Sequence, residues 1–458
     1  GMVLSFVSAG GENSAQAVTS QGSQLAEIKQ DAEEFSNTGV DAVVRAIVPS
    51  VRPLSAVETL SVAARIRAKR TLNTLTFTVM SDMHYSGLDA NKDVKQLSAS
   101  KIGMITKIAP IDFIANTGDY VDGDKAKADT LSDLDKLISV MNQNAGRIPM
   151  FYARGNHDDN GWYSEDGGGT YLPNEVINDA EWCQNVFSFS ARDLVTDPDC
   201  PHGGYGYYDH AQSKIRVFVV NTEDIPYVLD NGHFRYSAIN GHSMSNAQLN
   251  FIANALLFTD KSEPNEWAAL FIMHVPPDTS TDSGYRFGIG DAPIRGHEMF
   301  FGIVQAYKNG SSFAYSGSSY NPSLGDVEAD FPISISIDYS SKGTGEVIGF
   351  FSGHTHTDNF CRSVGHPGSL SRGYAYFGSS GETGFTTFLV DRTSNKVSAI
   401  KCGAVTVDNG VGVHKDDPDE GSITSGEYTV NISQFRPTGE TLFNGWDSAG
   451  PGFSFGSN

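Results

Sequence analysis

Short apolar runs recur along the chain, and the central ones break off into polar clusters. Leu75–Met80 is a β-rich apolar run that ends in Ser81-Asp82-Met83-His84. Ile111–Ala115 is a second run, ending at Asn116-Thr117-Gly118-Asp119, and Ile148–Ala153 is a third, leading into Gly155-Asn156-His157-Asp158. Helices are predicted between them, around 92–108 and over 130–145. This is a β-α-β-α-β rhythm, and alone it suggests an ordinary doubly wound sheet. In open α/β sheets, sites form at the carboxyl ends of strands, so three strands are expected to aim three clusters at one edge.

Downstream, Tyr205–Asp209 and Ile215–Asn221 read as a hairpin, and Ser245-Asn246-Ala247-Gln248 resembles a capping box opening a helix through Leu257. Trp267–Met273 is a buried strand ending in His274. Ile333–Tyr339 alternates cleanly, and Glu346–Phe351 returns as its hairpin partner, ending in Gly353-His354-Thr355-His356. Phe385–Asp391 and Lys396–Cys402 form a last hairpin. The expected organisation is an N-terminal extension over 1–75, a main domain over 76–405 and a Gly/Asp/Ser-rich tail over 406–458. The extension is expected to be flexible over 1–22 and helical over 23–35 and 54–70; the tail has one strand at 427–433. The main domain carries insertions at 160–206, rich in Gly and aromatics, and at 278–330, with a helix near 297–307.

Composition narrows the picture. With 39% hydrophobic and 11% aromatic residues in 458, a sizeable core can form and global disorder is excluded. The formal net charge of −22 repels nucleic-acid backbones and anionic membranes, so no bulk nucleic-acid binding is expected. The basic cluster Arg65, Arg67, Lys69 and Arg70 sits at the end of a predicted helix, where cations suit the helix dipole. Cys183, Cys200, Cys361 and Cys402 include no CxxC pair, which argues against a cysteine zinc site; free buried thiols are expected, with Cys183 and Cys200 the pair that a loop could join. No apolar run reaches the ~20 residues of a membrane span. Met2–Ala9 is short and has no charged n-region, so no export signal is expected and a cytoplasmic location is favoured over a virion or cell-surface one.

Five clusters carry the chemistry: Asp82-x-His84, Gly118-Asp119-x-x-Asp122, Gly155-Asn156-His157-Asp158, His274 and Gly353-His354-x-His356. Each follows a predicted strand and offers oxygen or imidazole donors, which suit zinc, manganese or iron. In an extended segment residues i and i+2 point the same way, so Asp82 and His84 are expected to grip one ion together. Glycine before Asp119, Asn156 and His354 lets the backbone turn and approach closely.

The ordered set resembles the calcineurin-like metallophosphoesterases, whose pattern is D-x-H, G-D-x-x-D, G-N-H-D/E, a lone H, and G-H-x-H; the likeness spans roughly residues 76–402. It implies a four-layer α/β/β/α sandwich, two mixed β-sheets flanked by helices, in place of the doubly wound sheet. It implies two divalent or trivalent metal ions (Mn, Fe or Zn), one held by Asp82, His84 and His356, the other by Asn156, His274 and His354, with Asp119 bridging. It further implies hydrolysis of a phosphomonoester or phosphodiester by metal-activated hydroxide. His157 then protonates the leaving oxygen and Asp122 orients that imidazole. The expected partner is a small phosphate ester such as a nucleotide, whose anionic charge bound metals would offset. The alternative is a phage or surface structural protein carrying such a domain.

Departures sort the branches of the family. Phosphoprotein phosphatases carry Arg where this chain has Gly123, and Glu where it has Asp158; purple acid phosphatases need a tyrosine ligand where it has Asp122. Both branches are therefore disfavoured. Arg154 is read as a surface ion-pair residue and His242 as structural or solvated. Trp162, Tyr163 and Tyr205–Tyr208 are read equally as pocket wall or loop packing.

Overall fold

Alternation along the central strands sends successive side chains into two different cores. In strand Ile215–Val219, Val217 and Val219 join one core and Phe218 the other; in Ala268–Ile272, Leu270 and Ile272 part from Phe271; in Glu346–Ser352, Ile348 and Phe351 part from Phe350. Strands apolar on both sides belong in the middle of a sheet covered on both faces. That is what the computed structural model contains. It describes residues 54–276, 294–356, 358–362, 375–378, 384–404, 421–422, 427–431 and 454–455. The predicted 1–22 and 23–35 segments, residues 278–293 of the second insertion and most of the 406–458 tail lie outside the described residues.

Two seven-stranded mixed sheets form the centre. The first runs in the order 421–422, 427–431, 396–402, 385–391, 75–80, 113–116 and 150–152, the last three parallel. The second runs 359–362, 375–378, 346–352, 268–272, 215–219, 206–210 and 195–196, with 215–219, 268–272, 346–352 and 375–378 parallel. Phe77 and Phe388 of the first sheet meet Phe351 of the second at ring-centroid distances of 5.0 and 4.8 Å, so the inner core lies between the sheets. Helices Lys92–Ser100, Ile102–Ile108 and Lys127–Ala145 cover the outer side of the first sheet; Asn246–Ala255 and His297–Asn309 cover that of the second. The result is the expected four-layer sandwich. No helix among the described residues is long and apolar enough to cross a membrane.

The flanks contribute to it. Ala56–Lys69 packs on the first sheet, where the Glu58 carboxylate accepts from Gly403 N at 2.9 Å. Its basic end is spoken for: Arg65 and Lys69 pair with Glu427, and Arg70 with Asp112.

Three sequence expectations need correction. Strands 332–338 and 346–352 are not a hairpin. Pro332–Asp338 pairs with Ser312–Ser318 in a separate three-stranded sheet, while Glu346–Ser352 lies between 268–272 and 375–378. The physical reason is burial: the first buries one face only, through Ile333, Ile335 and Ile337, and the second is buried on both. Second, only half of the capping box at Ser245 forms. Ser245 Oγ accepts from Gln248 N at 3.2 Å, but the Gln248 amide instead bonds the main chain of Asn221, donating to its carbonyl and accepting from its N–H, each at 2.8 Å.

Third, Arg154 is wholly buried, not a surface residue. Its guanidinium donates to Asp179 and to the Ile177 carbonyl, each at 2.5 Å, and lies between the Trp182 and Tyr227 rings. It anchors the 160–206 insertion beside the site. Arg154→Ala strands the buried Asp159 and the Asp179 carboxylate without their cation, and is expected to cost roughly 3 kcal/mol of stability. Urea denaturation of the two proteins measures it; a loss under about 0.5 kcal/mol, the size of an ordinary surface substitution, would show that the anchor is dispensable.

Candidate metal centre

The parallel strands bring the motif residues to one edge. Asp82 and His84 follow 75–80, Asp119 follows 113–116, Asn156 and His157 follow 150–152, His274 follows 268–272, and His354 and His356 follow 346–352. The chain does not leave these strands in extended form, however. Among the described residues ten non-glycines have positive φ, and five are Asp82, His84, Asp119, His354 and His356, at 44–69°. Each such residue costs of order 1–3 kcal/mol and persists only where the surroundings dictate it. So the expectation that Asp82 and His84 converge because they lie on one face of an extended strand is corrected: tight left-handed turns bring them together. Two glycines make room. A Cβ on Gly155 would collide with Asp119, and one on Gly353 with Ser81 Oγ and Asp82.

Among the described residues, two groups of side chains could hold a metal ion. In one, ligand atoms of Asp82, His84, Asp119 and His356 all lie within 4.8 Å of one another; in the other, those of Asp119, His274 and His354 do. Asp119 is common to both, with Oδ2 3.6 Å from His84 Nε2 and 3.2 Å from His274 Nε2. Asn156 Oδ1 joins the second group, 2.9 Å from His274 Nε2 and 3.0 Å from His354 Nδ1. All seven residues predicted as ligands are thus brought together.

The donor chemistry fits a cation. His84 Nδ1–H donates to Asp122 at 3.2 Å and His274 Nδ1–H to the Thr117 carbonyl at 2.9 Å, so each ring turns its Nε2 lone pair inward. There His84 Nε2 faces His356 Nε2 at 3.0 Å, and His274 Nε2 faces Asn156 Oδ1. Acceptors aimed at one another need positive charge between them. The neighbouring carboxylates act in the same direction. Burial alone would lower His84 and His274, but the Asp122 hydrogen bond and the Asp119 and Asp82 charges push His84 up to about 9, and Asp119 pushes His274 up to about 10. Burial and the Asp119 charge push Asp158 up to about 8. Asp158 accepts from the main-chain N–H groups of Asp119, Tyr120 and Gly155, at 2.7–3.1 Å, and so fixes the loop that carries the shared carboxylate.

His157 stands beside this cluster, its ring centroid 4.6 Å from that of His84. Its N–H donates to Asp119 Oδ1 at 2.9 Å and its Nδ1–H to a main-chain carbonyl at 2.7 Å. That carbonyl belongs to Asp122, which corrects the expected role of this residue. Positive φ at Asp119 and Gly123 turns the loop so that the Asp122 carbonyl meets His157 while its carboxylate meets His84.

A cleft of about 610 Å³ opens from His157 and His354, walled by Trp162 and Tyr171 of the 160–206 insertion and by Asn240 and His242. Of the aromatics named from sequence, Trp162 lines it. Tyr205, Tyr207 and Tyr208 are packing residues, against Phe251, under Arg216, and against Phe113 and Phe151. Two residues in this region carry interactions that the sequence reading did not anticipate. His242, with its ring 5.2 Å from that of His354, donates from Nδ1–H to Glu223, which follows the parallel strand Ile215–Val219. The available signal was that this strand also ends in a polar run, Asn221-Thr222-Glu223-Asp224.

A search of curated proteins finds no match. Among solved structures, the purple acid phosphatase PPD1 from yellow lupin (Lupinus luteus) seeds is 12% identical, with a TM-score of 0.39 over 81% of this chain and 58% of that one. GAP50, the anchor in the inner membrane complex of Plasmodium, is 11% identical (TM-score 0.33, 75% of this chain and 90% of that one). TT1561 of Thermus thermophilus is 9% identical (TM-score 0.30, 71% and 94%). The chain spans only 58% of the lupin protein, and none of the three is near enough to decide chemistry. The family profile of the calcineurin-like phosphoesterases matches residues 75–307, which hold four of the five motif blocks; the fifth, Gly353–His356, completes the same site beyond that match. By that match over half of its length, the chain belongs to the calcineurin-like phosphoesterase family.

Proposed function

We propose that this chain hydrolyses a small phosphate ester, a monoester or a diester, and that it does so with two metal ions. The observation that carries the reading is the shared Asp119 carboxylate between two groups of inward-facing donors. Asp82, His84, Asp119 and His356 would hold one ion; Asp119, Asn156, His274 and His354 would hold the other; Mn, Fe and Zn all suit such N/O donors. Bound there, the pair supplies Lewis acidity toward the phosphoryl oxygens and acidifies a coordinated water.

The chain's own residues do the rest. Asp158 and the Asp122 carboxylate hold ligand loops in place. His157, its Nδ1–H tied to the Asp122 carbonyl, keeps Nε2 for the ester and, when doubly protonated, donates that proton to the leaving oxygen. Trp162 offers an exposed ring 6.2 Å from His157, a flat surface for the alcohol side of the ester.

Removal of metal tests the reading. Dialysis against a chelator is expected to abolish hydrolysis of an aryl phosphate or a bis-aryl phosphate, and Mn²⁺ to restore it at two equivalents per chain. Turnover that survives with metal content below 0.1 equivalents (roughly a twentyfold depletion) would exclude metal-dependent hydrolysis.

A further inference from the structure

Strand Ile215–Val219 lies parallel to Ala268–Ile272, so its end reaches the same edge as His274. What it delivers there is Glu223, a carboxylate with no solvent exposure. A buried carboxylate needs a paired charge or hydrogen bonds. Glu223 has both oxygens within reach of one group, His242 Nδ1, at 2.9 and 3.0 Å; Thr222 Oγ also donates to it, at 3.1 Å. The pairing is held from every side. Ser243 N donates to the Thr222 carbonyl at 2.9 Å, Asp224 N donates to the Ser243 carbonyl at 3.1 Å, and Gln248 clamps Asn221. Arg295, fixed to Asp326 by two hydrogen bonds, sits under Gly241.

This is a positioned imidazole. Its Nδ1 is committed to Glu223, its ring lines the cleft, and it stands outside both groups of metal-holding side chains. Nε2 is therefore the nitrogen left for a ligand. His157 and His242 flank the centre from two sides: the first against His84 in one donor group, the second against His354 in the other. A small anion spanning both groups would meet an imidazole at each end.

We infer that His242, held by Glu223, is a second substrate-contacting residue, whose Nε2–H binds a phosphoryl oxygen of the ester from the side opposite His157. The inference rests on the phosphoesterase reading for its ligand. Glu223 is a positioning residue: its carboxylate accepts the Nδ1–H and so sets the orientation of the ring in the cleft. His242 differs from His157 in task, because it grips the phosphoryl group that stays and not the oxygen that leaves.

The test uses the full chain loaded with Mn²⁺ and inorganic phosphate as the probe. Calorimetry is expected to give a phosphate Kd raised about 10- to 100-fold in His242→Ala, the loss of one charged hydrogen bond. KM for an aryl phosphate should rise by a similar factor with metal content unchanged; His242→Ala, which leaves the buried Glu223 without its partner, should also lower the melting temperature. Glu223→Gln should give a smaller rise. His242→Asn, which can still donate to Glu223 but has no Nε2, should match His242→Ala and serves if the alanine variant does not fold. Phosphate affinity within twofold of the parent in either His242 variant would reduce the pair to a structural contact and overturn the inference. Loss of one metal equivalent in His242→Asn would also overturn it, by making His242 a ligand. The two readings fail separately. A parent protein that binds phosphate through His242 but hydrolyses no ester refutes only the phosphoesterase reading; an active parent with His242-independent binding refutes only this one.

Discussion

Asp119→Asn is expected to lower kcat by at least about 10³-fold, the equivalent of ~4 kcal/mol of transition-state stabilisation. The substitution changes almost no volume, so its effect isolates charge and donor character. Asp119 is buried, and its Oδ2 lies within 3.6 Å of both His84 Nε2 and His274 Nε2. An amide there loses the negative charge that both donor groups share. If its NH₂ turns inward, it also satisfies the two lone pairs that otherwise call for a cation. Metal content should fall below two equivalents, which elemental analysis reads directly. The fold should tolerate the change: the other oxygen, Oδ1, accepts from His157 N at 2.9 Å, and an asparagine carbonyl can take over that bond. A folded variant that keeps two metals and loses less than tenfold in rate would remove Asp119 from the bridging position.

That carboxylate was legible in the sequence because Asp119 stands shortly past an apolar run, after a glycine, in an ordered set of five such clusters. Order and residue type carried the family resemblance that named these seven residues, and they come together because each block ends a strand and parallel strands end at one edge. The way the donors converge was not legible. Five of these residues adopt left-handed backbone, which is uncommon for any non-glycine residue even though Asp and His tolerate it better than most, and no local pattern announces it. The role of Asp122 was misread for a related reason: a turn decides whether its carboxylate or its carbonyl faces His157, and turn geometry follows from the whole loop. The misplaced hairpin at 333–351 shows the limit on pairing. Alternation in Ile333–Ile337 identified a one-faced strand, but its partner, Ser312–Ser318, carries the pattern weakly in a stretch rich in serine and glycine. The pairing of Glu223 with His242, a residue read as structural or solvated, was not legible because the two are 19 residues apart and neither belongs to a motif; only the sheet, by ending 215–219 beside 268–272, brings them to the cleft.

His157→Ala is expected to separate esters by their leaving groups. A general acid contributes typically about 10²–10⁴-fold, and only where the departing oxygen needs a proton. Alkoxides are poor leaving groups and need it; a nitrophenolate leaves unaided. The variant should therefore lose about 10²-fold or more on an alkyl phosphate and less than about tenfold on the nitrophenyl ester, both in kcat. The geometry favours this division of labour. His157 is fixed at two points, its N–H on Asp119 Oδ1 and its Nδ1–H on the Asp122 carbonyl, so Nε2 is held at one place above the first donor group. The cleft with Trp162 begins on its other side, where the alcohol half of an ester would lie. An equal loss on both esters would mean that His157 binds the phosphoryl group instead of protonating the alcohol, and would make it the twin of His242. A steep dependence in His157→Ala alongside a flat one in His242→Ala would instead give the two imidazoles different tasks: one on the oxygen that leaves, the other on the group that remains.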